Sequence, residues 1–259
     1  MRRFSIVLAA LVCVGAGEAA AQSQTPAGVP PAPGRFTLFL NGAVQSSSQE
    51  IARSTQFDLY EEQASIEITQ NDIKGGGTID VGGSVRLMRN LGVGIAYTAV
   101  KSSGDGAIAG SIPHPLLFDT FRTLSATESD LEHKEQGVHV FATWRVPVTE
   151  KFDVTLSAGP SFFNISQDFI RGIQISETTP FTTVTLDSVE LLTLKQNGVG
   201  FNAGIDAAYA IARAFGTQLG VGVTARYARG GADFAVTDSE TVAIKAGGFQ
   251  VGGGIRVRF

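Results

Sequence analysis

The most regular signal in the sequence is a two-residue alternation. At the end of the chain Phe249, Val251, Gly253, Ile255, Val257 and Phe259 alternate with Gln250, Gly252, Gly254, Arg256 and Arg258. One face is apolar and the other polar or glycine, as in a strand whose two sides meet different surroundings. Seven further segments repeat the pattern. Their apolar faces are Phe36-Leu38-Leu40, Ile79-Val81-Val85-Leu87, Leu91-Val93-Ile95-Tyr97 and Val138-Val140-Ala142-Trp144-Val146, followed by Phe152-Val154-Leu156-Ala158, Val199-Phe201-Ala203-Ile205 and Leu219-Val221-Val223-Ala225-Tyr227. Helical spacing is hard to find, and after the first residues no stretch reaches the roughly 18 consecutive apolar residues that suggest a membrane helix.

The connections alternate in length. Short ones lie at Met88-Arg89-Asn90, around Pro147 to Lys151 and around Ile211 to Gly216; long ones run from Gln45 to Gly76, Lys101 to Glu132, Asn164 to Asn197 and Ala228 to Gly247. In an up-and-down sheet this sends short and long connections to opposite ends, the asymmetry of a transmembrane barrel with short periplasmic turns and long outer loops. The faces support lipid outside. No Asp, Glu, Lys or Arg falls on the apolar faces, and Tyr97, Trp144, Tyr209 and Tyr227 lie toward strand ends, where aromatic girdles sit. The opposite face scatters Asp80, Arg86, His139, Arg145, Asp153, Asp206, Arg226, Arg256 and Arg258 among Gly, Ser and Thr. That is too little charge for a solvated exterior, as a soluble lipocalin-like barrel would need, and suits a polar lumen. The prediction is an all-β, eight-stranded antiparallel up-and-down transmembrane β-barrel over 35–259.

The first residues change where this barrel belongs. Met1-Arg2-Arg3, an uncharged apolar run from Phe4 to Gly15 and Ala19-Ala20-Ala21 form the three parts of a secretory signal peptide over 1–21, with the mature chain expected from Gln22. A lipoprotein signal would use Cys13, but Val12 stands where a small residue is wanted. Residues 22–34 are rich in Pro, Ala and Ser and read as a periplasmic tether. Cys13 is the only cysteine, which excludes a disulfide framework and a Cys-based zinc site. The net charge of −4 without a basic block argues against nucleic acid as a partner. Charged residues at 17% beside 43% hydrophobic ones exclude a disordered chain.

The C-terminal strand carries a resemblance. Gln250, Gly252, Ile255 and Val257, closed by Phe259, fit polar-x-Gly-x-x-apolar-x-apolar, which resembles the assembly signal of bacterial outer-membrane barrels. Ala158-Gly159-Pro160-Ser161-Phe162-Phe163, in a strand after a short turn, is similar to small barrels of the OmpA/OmpX/OmpW type. The resemblance spans Arg35 to Phe259 and implies the transmembrane domain without the peptidoglycan-binding domain of full OmpA proteins. It implies outer-membrane lipid, lipopolysaccharide and the barrel assembly machinery as partners, a monomer, and a bacterial outer-membrane location. It does not carry an activity across.

Candidate chemistry is thin. A lipid-acyl-modifying enzyme needs a Ser or carboxylate near a His, and the histidines are His114, His133 and His139. Serines are common enough in the loops that a neighbouring Ser is no signal, so no catalytic residue, cofactor or metal site is assigned. His133 and His139 fall on one face but about 20 Å apart at the rise of a strand, too far to share a metal. The loop from Ile108 to Phe121 carries Ile112, His114, Leu116, Leu117, Phe118 and Phe121. It reads as a satellite core among the loops or as a hydrophobic-ligand site at the barrel mouth. Gln45 to Gly76 holds six acids against two bases, which reads as solubility, or as carboxylates for divalent cations at a lipopolysaccharide surface. Alternation at Phe57-Leu59, Ala64-Ile66-Ile68, Ile173-Ile175 and Val184-Leu186 suggests hairpins that extend above the membrane, with a ten-stranded barrel as the lesser variant. Arg86, Arg145, Asp153, Asp206 and Arg256 lie near short turns or the C-terminus on the lumen face and are expected to form an ion network closing the periplasmic half. Eight strands enclose room for side chains only, so the expected role is structural or surface-interacting. The rival is a narrow channel for small, apolar molecules, favoured by the small lumen residues Gly82, Gly92, Gly94, Gly204, Gly220, Gly222 and Gly252.

Overall fold

The computed structural model describes residues 34–259 apart from 48, 50, 72–74 and 237–240. The leader, Cys13 and all of the tether except Gly34 lie outside them. The alternating segments form ten strands: β1 (Phe36–Ser46), β2 (Ile51–Leu59), β3 (Glu62–Asn71), β4 (Gly77–Met88), β5 (Leu91–Pro113), β6 (Phe121–Pro147), β7 (Phe152–Glu177), β8 (Val184–Ala214), β9 (Thr217–Ala235) and β10 (Thr241–Arg258). Eight of them close a ring in the order β1-β4-β5-β6-β7-β8-β9-β10 and back to β1, every pair antiparallel. The seam strands β1 and β10 pair from Thr37↔Arg258 to Ser46↔Phe249. Phe36 stacks on Phe259 at 5.8 Å, and their backbones exchange bonds of 2.8 and 3.0 Å. Over the length of β1, which pairs with β10 on one side and β4 on the other, closure leaves no free edge.

The remaining two strands answer the question of barrel size. β2 and β3 form a hairpin whose turn residues Tyr60 and Glu61 both have positive φ, 54° and 64°, the mirror-image turn that matches strand twist. Its β3 strand pairs with the distal half of β5, Ser65–Asn71 against Asp105–Ser111, where β4 has already ended. The sheet therefore has ten strands, but the ring has eight.

Most of the long connections are strand, not loop. β5 and β6 stay paired up to Pro113↔Phe121, and β7 and β8 up to Glu177↔Val184. Their alternation is hard to read because it changes sense partway. On β5, Leu91, Val93, Ile95 and Tyr97 point outward; beyond them the outward positions are Lys101, Ser103 and Asp105, while Ile108 and Ile112, of the opposite parity, are buried inside. Membrane and water demand opposite faces of one strand. The inverted halves enclose two apolar cores. One joins Phe163, Ile165, Phe169, Phe234 and Ile244; the other joins Ile66, Ile108, Ile112, Leu124 and Ile170. Each such side chain contributes roughly 1.5–3 kcal/mol through burial.

In the half of the strands nearer the short turns the apolar face is outside all the way round the ring. Leu40, Ile79, Val81, Ile95, Val140, Leu156, Ile205, Val221, Val251 and Ile255 are all exposed. Contiguous apolar surface encircling a whole ring has no aqueous counterpart; it is the lipid-facing band of a transmembrane barrel. Trp144 and Tyr209 edge it toward the short turns, Tyr97 and Tyr227 toward the long strands. From Phe249 to Phe259 the band is about 23 Å tall at the rise of a strand tilted by about 45°. Past Lys101 the strands continue for roughly 28 Å more on the same geometry.

Candidate functional site

Inside the band, alternation turns every second side chain inward, and the small cross-section forces them together. At the short-turn end Asp153 accepts from Arg258 Nη1 and Nη2 at 2.5 and 2.7 Å and from Arg145 Nη2 at 3.0 Å. Further in, Arg256 donates to Asp206, passes over the Phe39 ring at 5.7 Å and reaches Asn41 Oδ1 at 2.5 Å. Asn41 Nδ2 donates to Asp80 at 2.8 Å, and Arg226 Nη1 donates to the other Asp80 oxygen at 3.0 Å. Arg256, Asn41, Asp80 and Arg226 are all buried. Pairing of this kind is what allows charge to stay away from bulk water.

Above the ion lattice lies a neutral one. His139 sits 2.8 Å from Ser161 Oγ through Nδ1 and 3.0 Å from Thr98 Oγ1 through Nε2. Asn202 donates to Ser161 Oγ at 2.9 Å. Higher still, Gln250 donates to Gln45 at 2.5 Å, and His133 lies 2.7 Å from Gln167. Where β10 outlasts its partner β1, Gly247 has φ +86° and turns its N–H to both oxygens of Glu135 at 2.9 Å. The apolar cores follow. A cavity of about 80 Å³ remains at the short-turn end beside Arg35, Arg86, Asn90, Asp206 and Arg256, with room for water. A second, of about 250 Å³, lies at the end of β1 between Gln49, His133, Arg229 and Gly248.

Of the five residues expected in the network, Arg145 pairs with Asp153 and Arg256 with Asp206, while Arg86 lines the cavity beside them. The Arg145–Asp153 pair extends to Arg258, and the Arg256–Asp206 pair extends to Asn41, Asp80 and Arg226, none of which is among the five expected. Three of these were on its lumen face, so strand parity was the available signal. At Gly82 and Gly222 the space is taken by neighbouring side chains, while Gly92 lines the cavity of about 80 Å³. A Cβ at Gly82 would stand 2.6 Å from the Phe39 ring, and one at Gly222 3.0 Å from Arg256 Nε. These two make room for Phe39 and Arg256. Gln250 and Gly252 of the C-terminal signal face the lumen, while Ile255 and Phe259 are exposed on the outer face.

The apolar loop divides. Ile112 and His114 are buried, whereas Leu116, Leu117 and Phe118 are 73, 55 and 74% exposed and Phe121 is also exposed. The loop is tied down. His114 Nδ1 accepts the N–H groups of Leu116 and Leu117 at 3.1 and 3.2 Å, and Asp119 N–H donates to Glu62 at 2.9 Å. Arg122 donates to Pro113 O and to Glu177, both at 2.5 Å, and Tyr60 donates its hydroxyl to Glu177 at 2.9 Å, which raises the phenol above its ordinary value. The tip of the β5–β6 hairpin is thus a braced apolar finger beside the β7–β8 tip, with His114 6.4 Å from Phe181.

No protein-family model matches the chain, and no curated protein matches it. Among solved structures it is similar to Neisserial surface protein A, at 13% identity and a TM-score of 0.40 over 86% of this chain and 97% of that one. It is similar also to the outer membrane protein OprG from Pseudomonas aeruginosa, at 7% identity and 0.42 over 87% and 96%. A third is Ail, the attachment invasion locus protein of Yersinia pestis, at 9% and 0.37 over 86% and 99%. The small outer-membrane-type barrel described above rests on its own register, band and lumen.

Proposed function

We propose that this protein is a non-conducting barrel of the bacterial outer membrane that serves as a structural and cell-surface interaction protein. One observation carries the reading: side chains of different chemistry crowd the interior in both halves, beside cavities of about 80 and 250 Å³. Charged and amide lattices occupy the membrane half, and two apolar cores occupy the half beyond it. A solute path would have to cross both. The short turns face the periplasm, with the expected tether from Gln22, and the long strands stand outside the cell. They hold Leu116, Leu117 and Phe118 roughly 30 Å from the membrane, taking the rise of tilted strands, where these side chains are available to another surface. Gln250, Gly252, Ile255, Val257 and Phe259 serve as the signal for the assembly machinery, and the chain works as a monomer. We read it as non-enzymatic. The His139–Ser161 contact is sealed inside the wall, both residues having no exposed surface, so no substrate reaches it.

The narrow-channel reading has one observation in its favour, the 250 Å³ cavity at the end of β1. Single-channel recording on protein refolded into planar bilayers separates the two. The crowded interior predicts no current steps. Steady steps whose size changes in Arg86→Ala/Arg256→Ala would refute it and make the arginine layer a gate.

A further inference from the structure

The last inward positions before the short turns carry more positive charge than negative. Arg35 continues the parity of Thr37 and Phe39, and its carbonyl accepts the Arg86 N–H at 2.8 Å. Arg145 is placed in the same way on β6, its N–H donating to Asn90 O at 2.8 Å. Arg258 stands opposite Thr37 on the seam. Among the described residues, the side-chain carboxylate these four guanidinium groups meet is Asp153, bound by Arg145 and Arg258. The Phe259 carboxylate lies at the same end, where it accepts the Phe36 N–H. Four positive charges against these two negative ones leave a net +2. The expected tether, residues 22–34, contains no acid to offset it. Farther in, Arg256 and Arg226 pair one to one with Asp206 and Asp80. Donors also outnumber acceptors in the layer, since Nε of Arg145 and Nε of Arg258 have no partner.

All four arginines line the cavity of about 80 Å³, several times the roughly 10–15 Å³ that one water needs. Ser84, Thr143 and Thr155 add hydroxyls to its wall. Gly92 keeps the Thr143 hydroxyl uncovered, because a Cβ there would stand 2.7 Å from Oγ1. The side chains of Arg145 and Asp206 are 19 and 26% exposed, so the cavity is reached from the short-turn end. We propose that it binds a small phosphate-bearing anion, entering from the side that the outer-membrane reading makes periplasmic. The surplus of two positive charges matches a phosphate, which carries about −1.5 to −2 at neutral pH. Guanidinium forks bond such oxygens in pairs, and the hydroxyls supply further donors. Positive charge held this close to a low-dielectric wall is costly until an anion meets it. The paired layer of Arg256, Asp206, Arg226 and Asp80 closes the inner end, so the anion is held and not passed on. The stacked Phe36–Phe259 seam stands between the cavity and lipid, which favours a soluble ligand over a lipid headgroup.

The test uses the full mature chain refolded in uncharged maltoside micelles, which contain no phosphate. It is titrated calorimetrically with inorganic phosphate, glycerol 3-phosphate, sulfate or chloride at constant ionic strength. Arg35→Gln/Arg86→Gln leaves the ion pairs with Asp153, Asp206 and Asp80 intact and is expected to weaken phosphate by at least roughly tenfold, the scale of one hydrogen bond to a charged group. Thr143→Val, which keeps every charge, is expected to weaken it by about two- to tenfold. Arg229→Gln/Lys245→Gln, beside the cavity at the other end of the barrel, is expected to change nothing. Phosphate is expected to bind more tightly as pH rises through about 6, where its second proton leaves, while sulfate stays level. Tighter binding of inorganic phosphate identifies the free anion, and tighter binding of glycerol 3-phosphate a phosphomonoester; either supports the site. No binding to the refolded parent overturns the proposal, as does equal affinity of the parent and both cavity variants. Chloride binding as tightly as phosphate overturns it too, by reducing the effect to general charge. Because no bilayer is present, these outcomes are separate from the outer-membrane reading, which fails if the chain does not insert into vesicles.

Discussion

Asp153→Asn is the sharpest perturbation of the lumen. One carboxylate there serves two guanidinium groups, accepting two bonds from Arg258 and one from Arg145. Asp153 is 4% exposed and Arg258 5%. Asparagine keeps the size and can still accept one bond, but the charge is gone and two cations are left facing each other. Breaking a buried pair by removing one partner costs about 3–5 kcal/mol. The neighbouring cavity admits water and Arg145 is partly exposed, so the lower end, about 3 kcal/mol, applies. That corresponds to a factor of about 150 in the folding equilibrium constant. Trp144, the only tryptophan, lies next to Arg145 on the lipid face and reports unfolding in urea from vesicles. Adding Arg258→Gln to Asp153→Asn is expected to restore much of the loss, because it removes one of the stranded charges. A loss under about 1 kcal/mol, the scale of an exposed pair, would show that the lumen solvates each charge separately and that the lattice does not hold the barrel together.

Other outcomes follow from burial and facing. Val140→Arg and Val221→Arg, on the lipid face, are each expected to cost about 2–4 kcal/mol in vesicle unfolding; unchanged stability in both would reverse the facing. Phe169→Ala, in the apolar core beyond the membrane, is expected to cost about 3–5 kcal/mol while leaving membrane insertion intact, as judged by protease protection of the embedded strands. Leu116→Ser/Leu117→Ser/Phe118→Ser is expected to leave stability within about 0.5 kcal/mol and to reduce attachment of bacteria bearing the protein to hydrophobic surfaces; unchanged attachment would remove the finger from the account.

The eight membrane strands were legible because lipid outside and a polar lumen inside keep one parity over eight to ten residues. The extension was not, because the strand crosses from lipid to water near Lys101 and its apolar parity reverses. Averaged across that crossing, β5 and β6 lose their alternation and resemble loop. Ile108 and Ile112 therefore read as oddities of a loop, and the pairing of β3 with β5 was visible only as isolated alternation at Ala64-Ile66-Ile68. In the lumen, parity placed Asp80, Arg226 and Arg258 on the right face, but which charges meet depends on stagger between strands distant in sequence. Arg258 and Asp153 are 105 residues apart and Arg226 and Asp80 146. Asn41 was missed because a neutral amide among charges carries no sequence signal.

The central claim is that one continuous strand changes environment, lipid outside in one half and water outside in the other. Nitroxide labels at Val93→Cys, Ile95→Cys, Ala107→Cys and Ala109→Cys test it on β5 alone, in a chain starting at Gln22 and so lacking Cys13. All four side chains face outward with the same parity. In vesicles, the labels at 93 and 95 are predicted to collide with oxygen and be shielded from a water-soluble nickel reagent, and those at 107 and 109 to show the reverse. Nickel reaching 93 and 95 as freely as 107 and 109 would contradict the membrane band.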